Sequence, residues 1–144
     1  MKNAVRFLSL AAAVGAVALP VAVSAQGRVV SGRSTATLSP AVKAGGLVFS
    51  SGQLPAQGDS TIEAQTTSTL NRVKAAFEVA GTSMDHAVKC TVFLIDVKDF
   101  QGMNSSYSKF WSPEKPPPAR STIVVSALVV ASAKLEIECV AAVP

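Results

Sequence analysis

The chain has 144 residues, of which 49% are hydrophobic and 15% charged, with 13 basic and 9 acidic side chains, one histidine and two cysteines. That length supports one core and excludes a second sizeable domain. Lysines and arginines stand singly, without the concentrated basic face that nucleic-acid recognition needs, and neither cysteine has a Cys or His at metal-ligand spacing, so nucleic acid and zinc are both poor partners.

Lys2 and Arg6 open the chain, an Ala/Val/Leu stretch runs from Phe7 to Val23, and small residues follow at Ser24 and Ala25. Basic start, apolar middle and small-residue exit are the features of a secretory signal peptide, with cleavage expected after Ala25. The alternative is an uncleaved anchor, because Phe7 to Ala25 could just span a bilayer; Pro20 and the small-residue exit favour cleavage. The expected organisation is therefore a leader over 1–25 and one mature domain over 26–144, periplasmic or secreted and free of the membrane. Removing Lys2 and Arg6 from the 13 basic residues leaves 11 against 9 acidic ones, so the net charge falls from +4 to +2.

In the mature region, Arg28 to Gly32 is short and β-branched and reads as an edge strand. Ala44-Gly45-Gly46 signals a turn, and Leu47 to Gly52 follows as a strand. Ser60 with Glu63 at the third position after it gives a capping box, and Leu70, Val73, Phe77 and Ala80 then fall on one helical face until Gly81 stops the helix. Lys89 to Ile95 is the clearest strand, with Cys90, Val92 and Leu94 on one face and Thr91, Phe93 and Ile95 on the other. Both faces are apolar, so both need a cover. Asp96 caps a second helix with Phe100, Met103, Tyr107 and Phe110 as its stripe and Pro113 as its end. Pro116-Pro117-Pro118 is stiff and extended, and Thr122 to Ser126 and Lys134 to Ala141 close the chain as strands.

The order ββαβαββ implies an α+β fold, a sheet with two helices on one face. With no helix left for the second face, another copy of the chain is the economical cover. Export permits a disulfide and position decides it; two buried free thiols at Cys90 and Cys139 are the expectation, because small buried cysteines are common in cores.

Three places could carry chemistry. Arg120 follows a rigid proline entry at the start of a strand and presents a planar fork suited to a carboxylate, although a surface arginine at a strand end is the plainer reading. Glu136 and Glu138 are two apart, so they share the face opposite Leu135, Ile137 and Cys139; exposed strand carboxylates are the plainer reading there. His86, the only histidine, lies in a turn among polar neighbours and reads as solvent-exposed, which argues against Ser-His-Asp or His-metal chemistry.

Four ordered blocks, "SPAVKAGGLVFSSGQLP" (39–55), "CTVFLIDVKDFQGMNSSYSKFW" (90–111), "PPARS" (117–121) and "KLEIECVA" (134–141), resemble successive blocks of the Rid family of reactive intermediate deaminases, also called the YjgF family. The resemblance implies a chorismate-mutase-like fold, three protomers joining their sheets into a barrel, and ligand clefts between neighbours. It also implies hydrolytic deamination of 2-aminoacrylate and related 2-imino acids to 2-keto acids and ammonia, with no cofactor and no metal. By position, Arg120 matches the arginine that holds the substrate carboxylate and Glu136 the glutamate that positions the attacking water. Ser51 and Gly52 match the "SGQ" segment, where a backbone group can meet the ligand, while Asn104 and Tyr107 match an "N..Y" helix given a structural role. The chain departs from the pattern at Ala41, where many active relatives carry a pocket tyrosine, at Thr122, where a cysteine is common, and at Pro117, where a phenylalanine is common. These changes keep the carboxylate anchor and alter the wall beside it. They favour the alternative of a non-enzymatic carboxylate-binding or chaperone-like protein. An RNA-cleaving activity finds little support in the weak basicity of the chain.

Overall fold

The computed structural model describes residues 27–144, so the leader expected over 1–25 lies outside the described residues. Strands β1 (Val29–Ser31), β2 (Ala41–Ala44) and β3 (Leu47–Ser50) precede helix α1 (Ile62–Val79); β4 (Ala87–Leu94), α2 (Phe100–Tyr107), β5 (Ala119–Val124) and β6 (Leu135–Ala142) follow. The expected ββαβαββ order holds with one strand added, β2. Its signal was the Gly45-Gly46 pair, because Ala44 pairs with Leu47 around a two-residue loop whose central positions both have positive φ, 57° and 78°. Glycine adopts that conformation freely, and such loops match the twist of the strands they join.

The six strands run in the order β1-β2-β3-β6-β4-β5. All neighbours are antiparallel except β4 and β5, which run parallel and are joined through α2 as parallel strands require. The last strand in sequence is thus inserted between β3 and β4 at the centre of the sheet.

Both helices pack on one face. Leu70, Val73 and Phe77 of α1 and Met103 of α2 are fully buried against Cys90, Val92, Leu94, Leu135 and Ile137. The N-cap of α1 is Thr61 rather than Ser60: its side chain accepts from the Ala64 N–H at 3.2 Å, one residue later than the capping box predicts. Asp96 Oδ1 accepts from the Lys98 N–H at 2.9 Å and caps a 3-10 turn that runs into α2. The helix itself ends at Tyr107, and a 3-10 turn carries the chain on to Phe110, short of Pro113. Gln65 is buried without belonging to the apolar stripe. Its amide donates to the carbonyls of Asp59 at 2.8 Å and Ser132 at 3.0 Å and accepts from the Lys134 N–H at 2.7 Å, tying the entry of β6 to α1. A buried amide so fully paired fixes the register of the connection it serves.

The opposite face carries Phe49, Thr91, Phe93, Ile123 and Val140 beside Lys89, Glu136 and Glu138, and no helix among the described residues packs on it. Phe49 is 43% exposed and Ile123 48% exposed. A sheet face of this composition is the kind that another protein surface covers.

The cysteines correct the sequence reading: Cys90 and Cys139 are joined in a disulfide, and the described residues contain no free thiol. Alternation puts both on the helix face, and the β4–β6 register sets them directly opposite each other. The insertion of β6 beside β4 creates that pairing, and composition carries no trace of it. The bond links residues 49 apart in sequence. By restricting the unfolded chain it contributes about 2–4 kcal/mol, and a double Cys90→Ala, Cys139→Ala variant should melt on the order of 10 °C lower. Differential scanning calorimetry with and without reductant checks this; an unchanged Tm in both experiments would contradict the bond's structural role.

Candidate functional site: an arginine cleft and a carboxylate on opposite faces

Arg120 sits in β5 opposite Cys90 of β4, so its side chain rises from the helix face toward α2. One terminal nitrogen donates to Asn104 Oδ1 at 2.7 Å and the other lies 3.8 Å from Met103 Sδ. The guanidinium carbon is 4.6 Å from the Tyr107 ring centroid and 6.0 Å from that of Phe100. A half-buried cation is therefore held by an amide oxygen, a thioether and two aromatic faces. Among the described residues no carboxylate pairs with it, although Lys74, Lys98, Lys115 and Lys134 each find one. A guanidinium held this way keeps donors available for an anion. The fixed φ of Pro116 to Pro118 delivers the chain to this point, and a cleft of about 410 Å³ opens beside Arg120, lined by Asn104, Tyr107, Trp111, Pro117 and Pro118 among others.

Burial pushes the Tyr107 phenol up to about 12, an effect that the positive charge of Arg120 only partly offsets. The hydroxyl is neutral across the physiological range and serves the cation through its ring. The buried Tyr107 hydroxyl, Trp111 Nε1 and Thr122 Oγ1 have no hydrogen-bond partner among the described residues. Unpaired polar atoms of this kind are few in folded proteins, and here three belong to Arg120's immediate surroundings.

The second group of residues lies elsewhere. Glu136 pairs with Phe93 across β6 and β4, and so points to the face without helices. The Ser51-Gly52-Gln53 segment runs beside it: Gln53 and Ile137 exchange backbone hydrogen bonds at 2.8 and 3.0 Å. A Cβ on Gly52 would lie 2.8 Å from the Glu136 carboxyl carbon, so a larger residue there would push the end of the Glu136 side chain out of its present position. The Ser51 hydroxyl donates to the Ser39 carbonyl at 2.6 Å and its N–H to the Pro40 carbonyl at 3.0 Å, which commits Ser51 to holding the segment. Gly52 N–H donates to nothing among the described residues. Burial first, and the neighbouring Glu138 carboxylate second, raise the Glu136 pKa above the ordinary carboxylate range.

Glu136, Gly52 and Ser51 are thus together, and Arg120 is apart from them. The two side chains leave opposite faces of one sheet, three rows apart along β4 or roughly 10 Å at strand spacing. His86 is exposed in a 3-10 turn, its Nδ1 3.2 Å from Ser83 Oγ. Sequence reasoning gave Asn104 and Tyr107 a structural role, yet both touch the guanidinium. The available signal was their spacing to Met103 and Phe100 on the α2 face that looks onto β5.

A raised carboxylate pKa has a definite consequence for stability. Glu136 binds its proton more tightly folded than unfolded, so stability falls as pH rises from the ordinary glutamate value through the higher folded value. In an Arg120→Ala background, where no guanidinium of another copy can offset the shift, Glu136→Gln cannot ionise and should melt above its parent at about pH 8, with the difference shrinking to nothing near about pH 3.5. Thermal melts of the Arg120→Ala protein with and without Glu136→Gln across that range check this, and a double variant less stable than its parent at the upper end would contradict it.

Residues 31–143 match the family model described as Endoribonuclease L-PSP. The mitochondrial protein mmf2 of Schizosaccharomyces pombe is 40% identical over 108 residues, 71% of this chain and 84% of that protein. The chloroplastic Reactive Intermediate Deaminase A of Arabidopsis thaliana is 39% identical over 109 residues, 72% of this chain and 57% of its own longer chain. Among solved structures, the YjgF-family protein NMB1025 of Neisseria meningitidis superposes with a TM-score of 0.77 at 25% identity, covering 84% of this chain and 98% of its own. The Rid-family protein YyfA of Yersinia pestis gives 0.76 at 30% identity, over 81% and 100%. Sequence match and sheet topology agree, and the chain belongs to the Endoribonuclease L-PSP family, that is, the YjgF/Rid family.

Proposed function

We propose that this chain hydrolyses 2-enamine and 2-imino acids of the 2-aminoacrylate type to 2-keto acids and ammonia, acting as a homotrimer without a cofactor. The observation that carries this reading is the Arg120 cation, held by Asn104 and Tyr107 at a cleft and paired with no carboxylate of the described chain. The Arabidopsis relative named Reactive Intermediate Deaminase A supports the choice of reaction.

Arg120 takes the substrate carboxylate in two parallel hydrogen bonds and so fixes the neighbouring C=N carbon. Glu136, ionised, accepts a proton from water as the oxygen attacks that carbon. A 2-enamine first moves a proton from nitrogen to its terminal carbon and becomes the imine. The proton taken from water then passes to the imine nitrogen to give a carbinolamine. Its hydroxyl gives up its own proton to the same nitrogen as the C–N bond breaks, so that ammonia leaves and the carbon retains the oxygen as a ketone. Glu136, a carboxylate whose pKa is raised by burial and by the neighbouring Glu138, is a stronger base when ionised. The Gly52 N–H beside it, without an acceptor among the described residues, supplies a donor to a developing negative oxygen.

One protomer cannot bring Arg120 and Glu136 to the same substrate, because they leave opposite faces of its sheet. We therefore assign Arg120 to one protomer and Glu136, with Gly52, to its neighbour. The uncovered apolar face with Phe49, Phe93 and Ile123 is consistent with such an assembly. The alternative, a carboxylate-binding protein without turnover, is favoured by Ala41, a 1% exposed residue of β2 standing where the family resemblance expects a pocket tyrosine.

The reading has clear kinetic consequences. With 2-iminopropionate generated enzymatically, Arg120→Ala should abolish saturable ammonia release while the trimer survives on sizing. Glu136→Gln should lower kcat by roughly 10²–10⁴-fold. Wild-type kcat should fall as pH drops through the raised Glu136 pKa, since protonation removes the base. A wild-type trimer that binds keto acids and accelerates nothing would establish the binding alternative.

We also infer an oxidising location, periplasmic or secreted. The Cys90–Cys139 bond is of a kind rare in reducing compartments, and the sequence of residues 1–25 has the features of a leader. Intact-mass analysis of protein from its native cells should show a chain starting at Gln26 with no alkylatable thiol in the native state; retained residues 1–25 with two reactive thiols would contradict this.

A further inference from the structure

The cleft beside Arg120 has a wall that an acid as small as 2-aminoacrylate does not use. Its volume of about 410 Å³ falls within the roughly 300–1,000 Å³ of sites that hold drug-sized ligands. Arg120 is the one charged side chain among the residues that line it. Apart from Asn104 and Ser108, the remaining surface is formed by Trp111 and the rings of Pro117 and Pro118, with Tyr107 buried behind Trp111. Trp111 is half-buried, but its Nε1 atom is fully buried, so what the indole shows to the cleft is hydrocarbon. The Tyr107 hydroxyl is likewise buried. Trp111 packs on Tyr107 with ring centroids 5.5 Å apart and planes inclined at 47°, and Tyr107 in turn lies under the Arg120 guanidinium. The stiff proline run closes the other side.

The geometry points to Trp111 as a specificity-determining residue and to 2-imino acids with a large apolar, preferably planar, side chain as the substrate class. This deepens the deaminase reading and rests on Arg120 holding the carboxylate. With the carboxylate at Arg120, a side chain of several carbons extends over Trp111 and the proline rings, where apolar burial and ring contact add affinity. A methyl-sized side chain leaves the same wall wet.

The stable product acids test this without turnover. Isothermal titration calorimetry of the full trimer with phenylpyruvate and with pyruvate should show phenylpyruvate bound about tenfold more tightly or better, the effect of one well-made aromatic contact. Trp111→Ala should remove that preference, lowering phenylpyruvate affinity about tenfold more than pyruvate affinity, while Trp111→Phe should restore most of it. Equal affinities in the wild type, or a preference that survives in Trp111→Ala, would overturn the inference while leaving the deaminase reading intact. If neither acid binds and Arg120→Ala changes nothing, the carboxylate anchor fails and both readings fall together.

Discussion

The constraint on which the rest of the structure depends is the two-residue alternation of side chains along three adjacent strands, β5, β4 and β6. Cys90 fixes its phase, because Arg120 is its neighbour on one side and Cys139 on the other, so all three share the helix face. Glu136, an odd number of residues from Cys139, must then point the other way. A one-residue slip anywhere in this ladder would exchange the faces of every side chain beyond it. The sulfur bond and the Gln65 amide, which grips the entry to β6, both oppose such a slip. Fold stability and site geometry are in this sense one problem.

The two halves of the site also differ in electrostatic character. Arg120 is anchored by neutral groups, an amide oxygen, a thioether and aromatic faces, so its charge is oriented without being cancelled. Glu136 stands beside a like charge, Glu138, and partly out of water, so its ionised form is destabilised. A free cation and a reluctant anion on opposite faces are poorly arranged for folding one protomer. In the proposed shared site, two protomers that meet would each supply what the other lacks. The carboxylate that costs stability in isolation is the one the proposed chemistry uses as its base.

Much of this was legible in the sequence. Strand β4, the buried stripe of α1 and the Asp96 cap were readable because local periodicity and capping chemistry encode them directly. The inward and outward phases of β6 followed from alternation alone. Strand β2 was missed because Ala41–Ala44 is short and carries a lysine, although the Gly45-Gly46 loop required a partner on its far side. The disulfide was missed for a different reason: it depends on β6 passing between β3 and β4, a long-range pairing that no window of sequence contains. Asn104 and Tyr107 were read as structural because a helical aromatic stripe is usually core. Only the parallel β4–α2–β5 crossover brings that stripe over Arg120. Arg120 and the Glu136/Glu138 pair were candidates from residue chemistry, resemblance favoured Arg120 and Glu136 among them, and their placement on opposite faces emerged only from the register.

The central claim is that a working site combines Arg120 of one protomer with Glu136 of another, and subunit mixing tests it most directly. Arg120→Ala and Glu136→Gln trimers, each inactive, would be dissociated together, reassembled and assayed for ammonia release. If the site is shared, random assortment places an intact Arg120 opposite an intact Glu136 in about a quarter of the clefts, and a corresponding fraction of wild-type activity should return. No recovery in trimers shown by mass spectrometry to contain both variants would contradict the account.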